Sequence, residues 1–133
     1  MKFIFLVIVL LSVQSIQALA TEIKNCSLSE VIHRGYEELY GFSFAKYPKL
    51  MLKKDEANRF EMVIGALSYS EATDKYFEII VYNNPNKYFV FYDGLLTETI
   101  EFIKNPDGKT VARLKAILDE SDELYDIARF NCY

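Results

Sequence analysis

The two cysteines of this 133-residue chain stand close to its two ends, at Cys26 and Cys132. Two cysteines in an oxidising compartment normally pair. A bond between them would close nearly the whole chain into one ring, and loop-closure entropy assigns about 4.7 kcal/mol of stabilisation to a loop of about 100 residues. We therefore expect a Cys26–Cys132 disulfide, which requires the first and last structured segments to lie within ~7 Å between Cα atoms.

The start of the chain has the pattern of a secretory signal peptide. Lys2 precedes an apolar run over residues 3–13, and Ala18-Leu19-Ala20 forms a small-residue cleavage site. The apolar run is shorter than the ~20 residues that span a bilayer. We predict a signal peptide over residues 1–20 and a secreted, extracellular protein that forms a single globular domain over residues 21–133.

The acidic balance of the chain argues against two classes of partner. Lysine and arginine number 15 against 19 aspartate and glutamate residues, which gives a formal net charge of −4. Nucleic acids and anionic membranes both require a dense basic surface. We therefore expect neither a nucleic acid nor a membrane as the partner.

A helix is predicted over residues 27–40. Ser27-Leu28-Ser29-Glu30 has the form of a capping box, and Gly41 suits the left-handed residue that follows a helix. Between these ends the apolar residues recur at helical spacing. They are Leu28, Val31, Ile32, Tyr36, Leu39 and Tyr40.

A sheet is predicted between residues 49 and 104, where the apolar period changes from 3.6 to 2. Asp93-Gly94 is a strong signal for a β-hairpin turn. Four antiparallel strands are expected, with a fifth candidate over residues 50–53. The four cover residues 59–69, 75–82, 87–92 and 96–103.

The segment from residue 110 to residue 118 permits two interpretations. As a strand, its apolar residues alternate with Arg113 and Lys115. As a helix, it continues to about residue 130, and local propensity favours this interpretation. The helical stripe would consist of Val111, Leu114, Leu118, Tyr125 and Ala128. The predicted fold class is thus α+β: an N-terminal helix, a four- to five-stranded antiparallel meander sheet and a C-terminal helix, with the termini tied by one disulfide.

Motifs for catalysis and metal binding are missing from the sequence. His33 is its single histidine, and no nucleophile motif or metal-ligand spacing accompanies it. Phosphate-binding glycine motifs are also missing. We expect no enzyme activity, no catalytic residues, no cofactor and no metal. The acidic residues that crowd the end of the chain are expected to form a solvated helix face. These are Asp119, Glu120, Asp122, Glu123 and Asp126.

Two further features are candidate sites. Asn25-Cys26-Ser27 satisfies the glycosylation sequon at Asn25, with occupancy left open. Aromatic residues crowd two neighbouring predicted strands and should reach both faces of the sheet. Four tyrosines could form a recognition surface or line a ligand pocket, although core packing is the simpler interpretation. They are Tyr76, Tyr82, Tyr88 and Tyr92.

Residues 61–65 resemble the first inhibitory loop of the cystatin family. Glu61-Met62-Val63-Ile64-Gly65 is similar to the Q-x-V-x-G sequence of that loop, with Glu in the place of Gln. A helix followed by an antiparallel meander also looks like the cystatin architecture, and the resemblance covers residues 27–103. It implies a cysteine protease inhibitor that inserts Val63 and Gly65 into a papain-like cleft.

These observations predict a secreted, non-enzymatic binding or effector protein that acts through contacts with another protein, as salivary, venom or host-directed effectors do. Two alternatives stay open. One is a cystatin-like cysteine protease inhibitor that uses residues 61–65. The other is a carrier of a small apolar ligand that uses the aromatic sheet.

Overall fold

The computed structural model describes residues 23–82 and 86–133, which form nine strands and one short helix. The predicted signal peptide and its cleavage site lie outside these residues. The helix α1 spans Gly35–Tyr40. The strands are β1 (Ile23–Val31), β2 (Lys49–Lys54), β3 (Phe60–Ile64), β4 (Leu67–Ser70), β5 (Phe77–Val81), β6 (Lys87–Tyr92), β7 (Leu95–Lys104), β8 (Thr110–Ile117) and β9 (Leu124–Cys132).

All nine strands belong to one antiparallel sheet in the order β4-β3-β2-β1-β9-β8-β7-β6-β5. The sheet curls into a nearly closed barrel, in which the first and last strands pair with each other. Eight antiparallel pairings separate β4 from β5, so these two edge strands run in the same direction. Parallel neighbours need a crossover of a dozen or more residues. The connection over residues 71–76 is much shorter, which explains why the barrel stays open between β4 and β5.

Glu71 bridges this open seam. Its carboxylate accepts hydrogen bonds from the backbone amide of Phe60, at 2.7 Å, and from that of Ile79, at 3.1 Å. The ring of Tyr69 on β4 also stacks on Phe77 of β5, with centroids 5.0 Å apart. One carboxylate and one pair of stacked rings therefore connect the two edges of the sheet, because β4 and β5 are not paired by backbone hydrogen bonds.

The barrel interior contains the hydrophobic core. Along β8, Ala112, Leu114 and Ala116 are buried while Arg113 and Lys115 lie on the outer face, as strand alternation requires. Full burial of one large apolar side chain contributes roughly 1.5–3 kcal/mol. Among the fully buried side chains are Tyr36, Phe44, Leu50, Met62, Ile64, Ile100, Leu114, Ile127 and Phe130.

The connection between β1 and β2 fills one end of the barrel. It contains α1, which ends at Gly41 in the left-handed conformation (φ 70°) that the sequence predicts for a helix C-terminus. Tyr36 and Phe44 from this connection are fully buried, and their rings stack with centroids 5.9 Å apart. Phe44 also meets Phe130 of β9 edge to face at 5.8 Å. This end of the barrel is therefore closed by aromatic rings.

The predicted helix over residues 27–40 is wrong for most of its length. Residues up to Val31 continue β1, and the helix begins only at Gly35. A shift in register between Leu28 and Glu30, where β1 pairs with β9, explains the error. A β-bulge inserts one residue and displaces the apolar positions that follow, so the strand loses its period of two. The helix required for a cystatin-like architecture is thus missing from residues 27–34.

The predicted C-terminal helix is also wrong. Residues 110–132 form the hairpin of β8 and β9, so the strand interpretation of residues 110–118 is the correct one. A register shift between Leu114 and Lys115 leaves Ile127 and Ala128 both buried, which imitates a helical pattern. The α+β fold class is therefore overturned by an almost entirely β structure.

The central strands were predicted more accurately. The strand over 87–92 has the predicted bounds, the candidate strand near residue 50 is present as β2, and Asp93-Gly94 forms the turn between β6 and β7. The predicted strand over 59–69 is instead two strands. Gly65, with φ 61°, turns the chain between Ile64 and Leu67, which are paired partners.

The predicted disulfide is confirmed. Cys26 and Cys132 face each other across β1 and β9, with Cα atoms 4.0 Å apart and 106 positions apart in the sequence. The bond joins the first strand to the last, which are neighbours in the sheet. Across residues 23–82 and 86–133, no helix has both the length and the apolar character needed to cross a membrane.

Candidate functional site

Glu98 is a buried carboxyl group on the inner face of β7, with only 1% of its surface exposed. Its Oε1 accepts hydrogen bonds from the hydroxyl groups of Tyr36, at 3.2 Å, and Tyr40, at 3.5 Å. Its Oε2 contacts the hydroxyl of Thr97. Because both tyrosines belong to α1, this cluster ties α1 to the wall of the barrel.

The surroundings of Glu98 favour its neutral form. Burial raises the pKa of Glu98, because a charged carboxylate loses its hydration inside the barrel. The hydrogen bonds from Thr97, Tyr36 and Tyr40 act in the opposite direction and lower the pKa of Glu98, but burial outweighs them. Burial likewise raises the pKa of Tyr40 to about 12.

A cavity of about 420 Å³ opens at the same end of the barrel, between α1 and the turn of the β8–β9 hairpin. We call it the helix-end cavity. The polar groups that line it belong to His33, Glu38, Asp119 and Tyr125, and its apolar wall comes from Leu39 and Leu118 beside Gly35. Leu39 is 55% exposed, so this wall is open to a ligand from solvent.

The imidazole of His33 is held in one orientation. Its Nδ1 accepts a hydrogen bond of 2.9 Å from the backbone amide of Gly35, so Nε2 carries the hydrogen in the neutral ring. The ring lies 5.5 Å from that of Tyr125, at an angle of 56°. A Cβ atom added at Gly35 would lie 2.7 Å from the His33 ring and 3.1 Å from Leu118. The backbone at Gly35 therefore packs tightly against the His33 ring and Leu118.

Asp119 supplies a fixed negative charge to the helix-end cavity. Its carboxylate accepts hydrogen bonds from the hydroxyl and the amide of Ser121, the latter at 3.0 Å, and from the Tyr125 hydroxyl at 3.0 Å. These bonds, above all the one from the Ser121 hydroxyl, lower the pKa of Asp119. Asp119 is therefore ionised at neutral pH. Of the acidic residues predicted to form a helix face, Asp126 lies in β9, and the others lie at the β8–β9 turn, where Asp122 has φ 60°.

The structure separates the other predicted site residues. Asn25 lies in β1 with its side chain exposed and its carbonyl bonded to the amide of Tyr133, at 3.0 Å. The segment predicted to be an inhibitory loop belongs to β3, where Met62 and Ile64 are fully buried while Glu61 and Val63 are partly buried. Gly65 is buried against Phe42. Residues 61–65 therefore do not form an exposed loop.

The four tyrosines predicted to share a surface lie in different places. Tyr76 and Tyr92 lie side by side, with ring centroids 6.2 Å apart. Tyr88 packs between Phe60 and Phe102, at 5.9 and 5.7 Å. Tyr82 is on the outer face and contacts Phe89 at 5.3 Å. Only two of the four tyrosines are therefore brought together.

Sequence reasoning missed Glu98 and Asp119 for different reasons. Glu98 is in phase along β7 with Ile100 and Phe102, which are buried. That period of two was a usable signal for a buried acid. Asp119 and His33 carried no comparable signal, because the hairpin that brings them together was not predicted. Among residues 23–82 and 86–133, no group of three or more histidine, cysteine, aspartate or glutamate side chains is arranged to hold a metal ion.

Comparison with known proteins found no protein family, no curated protein and no solved structure that matches the chain.

Proposed function

We propose that this chain is a secreted, non-enzymatic binding protein that takes a small organic cation into the helix-end cavity. The observation that carries the proposal is the pair of carboxylates, Asp119 and Glu38, in a cavity whose lining includes no lysine or arginine among the described residues. The cavity's volume of about 420 Å³ is within the usual range for small-molecule sites. The proposal keeps the idea of a carrier but differs from the alternative in the sequence analysis, which placed an apolar ligand on the aromatic sheet, in both the site and the charge of the ligand.

The cavity offers separate surfaces for the two parts of such a ligand. An ammonium group gains Coulomb energy from Asp119, which is ionised at neutral pH. The ring of Tyr125 adds an attraction between the cation and its π electrons. Leu39 and Leu118 supply apolar surface for the body of the ligand. A primary amine with an aromatic or aliphatic body fits this arrangement.

Secretion rests on two independent observations. The pattern of residues 1–20 is typical of a signal peptide. The disulfide between Cys26 and Cys132 is consistent with an extracellular protein, since such bonds persist in oxidising compartments. The test is N-terminal sequencing of protein from the culture medium, which should begin near Thr21, together with thiol titration, which should detect no free thiol in the unfolded, unreduced protein.

Calorimetric titration tests the ligand. Phenethylamine is the probe, and 2-phenylethanol is its neutral counterpart of almost the same shape. We expect saturable binding of the amine at neutral pH and at least tenfold weaker binding of the alcohol, a difference of about 1.4 kcal/mol or more. Asp119→Asn and Glu38→Gln should each weaken amine binding, because each removes one negative charge from the cavity.

Asp107→Asn is the matched control. Asp107 also accepts a backbone hydrogen bond within a hairpin turn, from Lys109 at 2.9 Å, but it is not among the residues that line the helix-end cavity. This variant should bind the amine as the wild type does. An equal loss of affinity for the amine in Asp107→Asn and Asp119→Asn would mean that the overall charge of the protein, and not the cavity, attracts the amine. No binding by the folded wild type would rule out the proposed ligand class.

Protein–protein contact is the second candidate function, and a different surface favours it. On the outer face of the β5 edge, Ile80 and Tyr82 are 47% and 57% exposed. An exposed edge strand readily pairs with another edge strand, and a second copy of this chain offers an identical one. Sedimentation at increasing concentration tests this interaction, and Ile80→Lys should weaken any self-association. Inhibition through residues 61–65 would require β3 to leave the sheet, and we do not propose it.

A further inference from the structure

Two arginines face each other on the outer surface of the barrel. Arg113 on β8 and Arg129 on β9 are direct partners in the antiparallel ladder. Direct partners have neighbouring side chains on the same face of the sheet, and two like charges in these positions repel. Glutamates flank the pair in the same row, Glu30 opposite Arg129 and Glu101 opposite Arg113, so the position between the two guanidinium groups is the one where like charges meet.

The carboxylates nearest to the two arginines do not fill that place. Asp126 is 3.4 Å from Arg113, and Glu30 is 3.9 Å from Arg129, so each acid contacts one arginine. Both distances are long for a charge-assisted hydrogen bond, which is normally 2.7–2.9 Å. The Nε atom of Arg113 is buried and has no hydrogen-bond partner. Arg113 therefore retains donor capacity that Asp126 does not use.

A cavity of about 340 Å³ lies beside the two arginines. Both arginines line it, and Asn105, Asn131 and Ser29 add amide and hydroxyl groups that can donate hydrogen bonds. Ile103 and Val111 provide an apolar surface beside them. Glu30 is the one acid in the lining, while Asp126 contacts Arg113 and Glu101 is paired with it on β7.

We propose that this cavity binds an oxyanion, a carboxylate, phosphate or sulfate group, between Arg113 and Arg129. A planar guanidinium group donates two parallel hydrogen bonds to such a group, and two guanidinium groups can hold it from both sides. The bound anion also removes the repulsion between the paired arginines. The site shares no lining residue with the helix-end cavity, so its success or failure is independent of the amine proposal.

The test uses the arginine side chains as reporters in ¹H–¹⁵N NMR spectra of the full mature chain. The sequence has four arginines, and Arg113→Lys identifies the Nε–H signal of Arg113 by its disappearance. Inorganic phosphate, sulfate and acetate are titrated separately at constant ionic strength, with sodium chloride as the balancing salt. We expect at least one of them to shift the Arg113 signal along a saturable curve. Preference for acetate would identify a carboxylate ligand, and preference for phosphate or sulfate would identify a tetrahedral one.

Variants at Arg129 show whether both arginines take part. Arg129→Gln should weaken oxyanion binding at least tenfold, and Arg129→Lys should weaken it less, because lysine keeps the charge but loses the planar pair of donors. Lys109→Gln, a change at an exposed cation outside the cavity, should bind like the wild type. The same spectra report whether each variant is folded. No saturable shift in the folded wild type, or equal weakening in Lys109→Gln and Arg129→Gln, would overturn the proposal.

Discussion

Tyr36 and Glu98 are joined by a hydrogen bond of 3.2 Å between side chains that are 62 positions apart in the sequence. Tyr36 belongs to α1 and Glu98 to the inner face of β7. The bond therefore connects the segment that closes one end of the barrel to the barrel wall. The same segment forms one side of the helix-end cavity, so the buried carboxyl group stabilises the surroundings of the proposed ligand site.

Glu98→Gln should change how stability depends on pH. The pKa of Glu98 is raised in the folded protein, so its contribution to stability is fully present below the unfolded value near 4.5 and is lost as pH rises through the folded pKa. Glutamine has nearly the same shape and stays neutral. We expect Glu98→Gln to be about as stable as the wild type near pH 4.5 and more stable at pH 8, as measured by urea unfolding at both pH values.

Glu101→Gln is the control for this experiment, because Glu101 lies on the outer side of the same strand and has no resolved interaction with the Glu98 cluster. Its stability should follow the wild type across the same pH range. If Glu98→Gln is destabilised equally at pH 4.5 and pH 8, folding leaves the pKa of Glu98 unchanged, and if it is destabilised more at pH 8, Glu98 is ionised in the fold; either result contradicts the raised pKa.

Glu71→Ala should weaken the seam between β4 and β5. The substitution removes the acceptor of two backbone amides, those of Phe60 and Ile79. Each hydrogen bond to a charged group contributes about 1.5–3 kcal/mol. Glu71 is only partly buried, so we expect the two bonds together to contribute less than their full sum, a loss of about 2–4 kcal/mol in the free energy of unfolding. Hydrogen exchange at these two amides should accelerate. Glu78→Ala, at an exposed site on β5, is the control. Similar losses in both variants would show that Glu71 has no special role.

Removal of the disulfide should destabilise the barrel without changing its topology. Cys26 and Cys132 close a ring of 106 positions, and the loss of a native disulfide from a small secreted domain typically costs about 2–5 kcal/mol. We expect the Cys26→Ala and Cys132→Ala double variant to show this loss in urea unfolding while its circular dichroism spectrum remains that of a β protein. A spectrum with strong helical bands would indicate that β1 and β9 require the bond in order to pair.

Gly65→Ala and Gly94→Ala form a matched pair of substitutions. Both glycines have positive φ, 61° and 77°, so alanine strains the backbone in each case. A Cβ atom at Gly65 would also lie 2.1 Å from the ring of Phe42, whereas nothing lies within 4 Å of one at Gly94. We expect Gly65→Ala to lose about 1–3 kcal/mol more stability than Gly94→Ala, the usual cost of overpacking. Equal losses would show that Phe42 moves aside freely.

The sequence predicts this fold best along β6, although the pairing of β6 with β7 also contains a register shift. Lys87–Tyr92 and the turn at Asp93-Gly94 follow directly from β-branched and aromatic content and from turn chemistry. The disulfide follows from the presence of two cysteines and from the predicted secretion of the chain. The two errors occur beside bulges, at Leu28 and Glu30 in β1 and at Ile127 in β9, where one inserted residue changes the apolar period. A single sequence gives no sign of a bulge, because the inserted residue depends on the partner strand.

The candidate site was harder to predict than the strands. His33 and Asp119 are 86 positions apart, as their numbers show, and they line one cavity only because α1 packs near the β8–β9 turn. Hydrophobic period and charge pattern report on local structure, and neither places these two elements side by side. Asp119 was interpreted as part of a solvated acidic face, which is the usual role of such a cluster.

His33 provides the most direct test of ligand binding in the helix-end cavity, because it is the one histidine in the sequence and its imidazole signals in an NMR spectrum need no further assignment. The untagged mature protein is titrated at fixed pH with phenethylamine and, separately, with 2-phenylethanol. We expect a saturable shift of the His33 ring signals with the amine, a much smaller shift with the alcohol, and loss of the amine effect in Asp119→Asn. If the His33 signals of the folded wild-type protein do not move as the amine is added, the helix-end cavity is not a cation site.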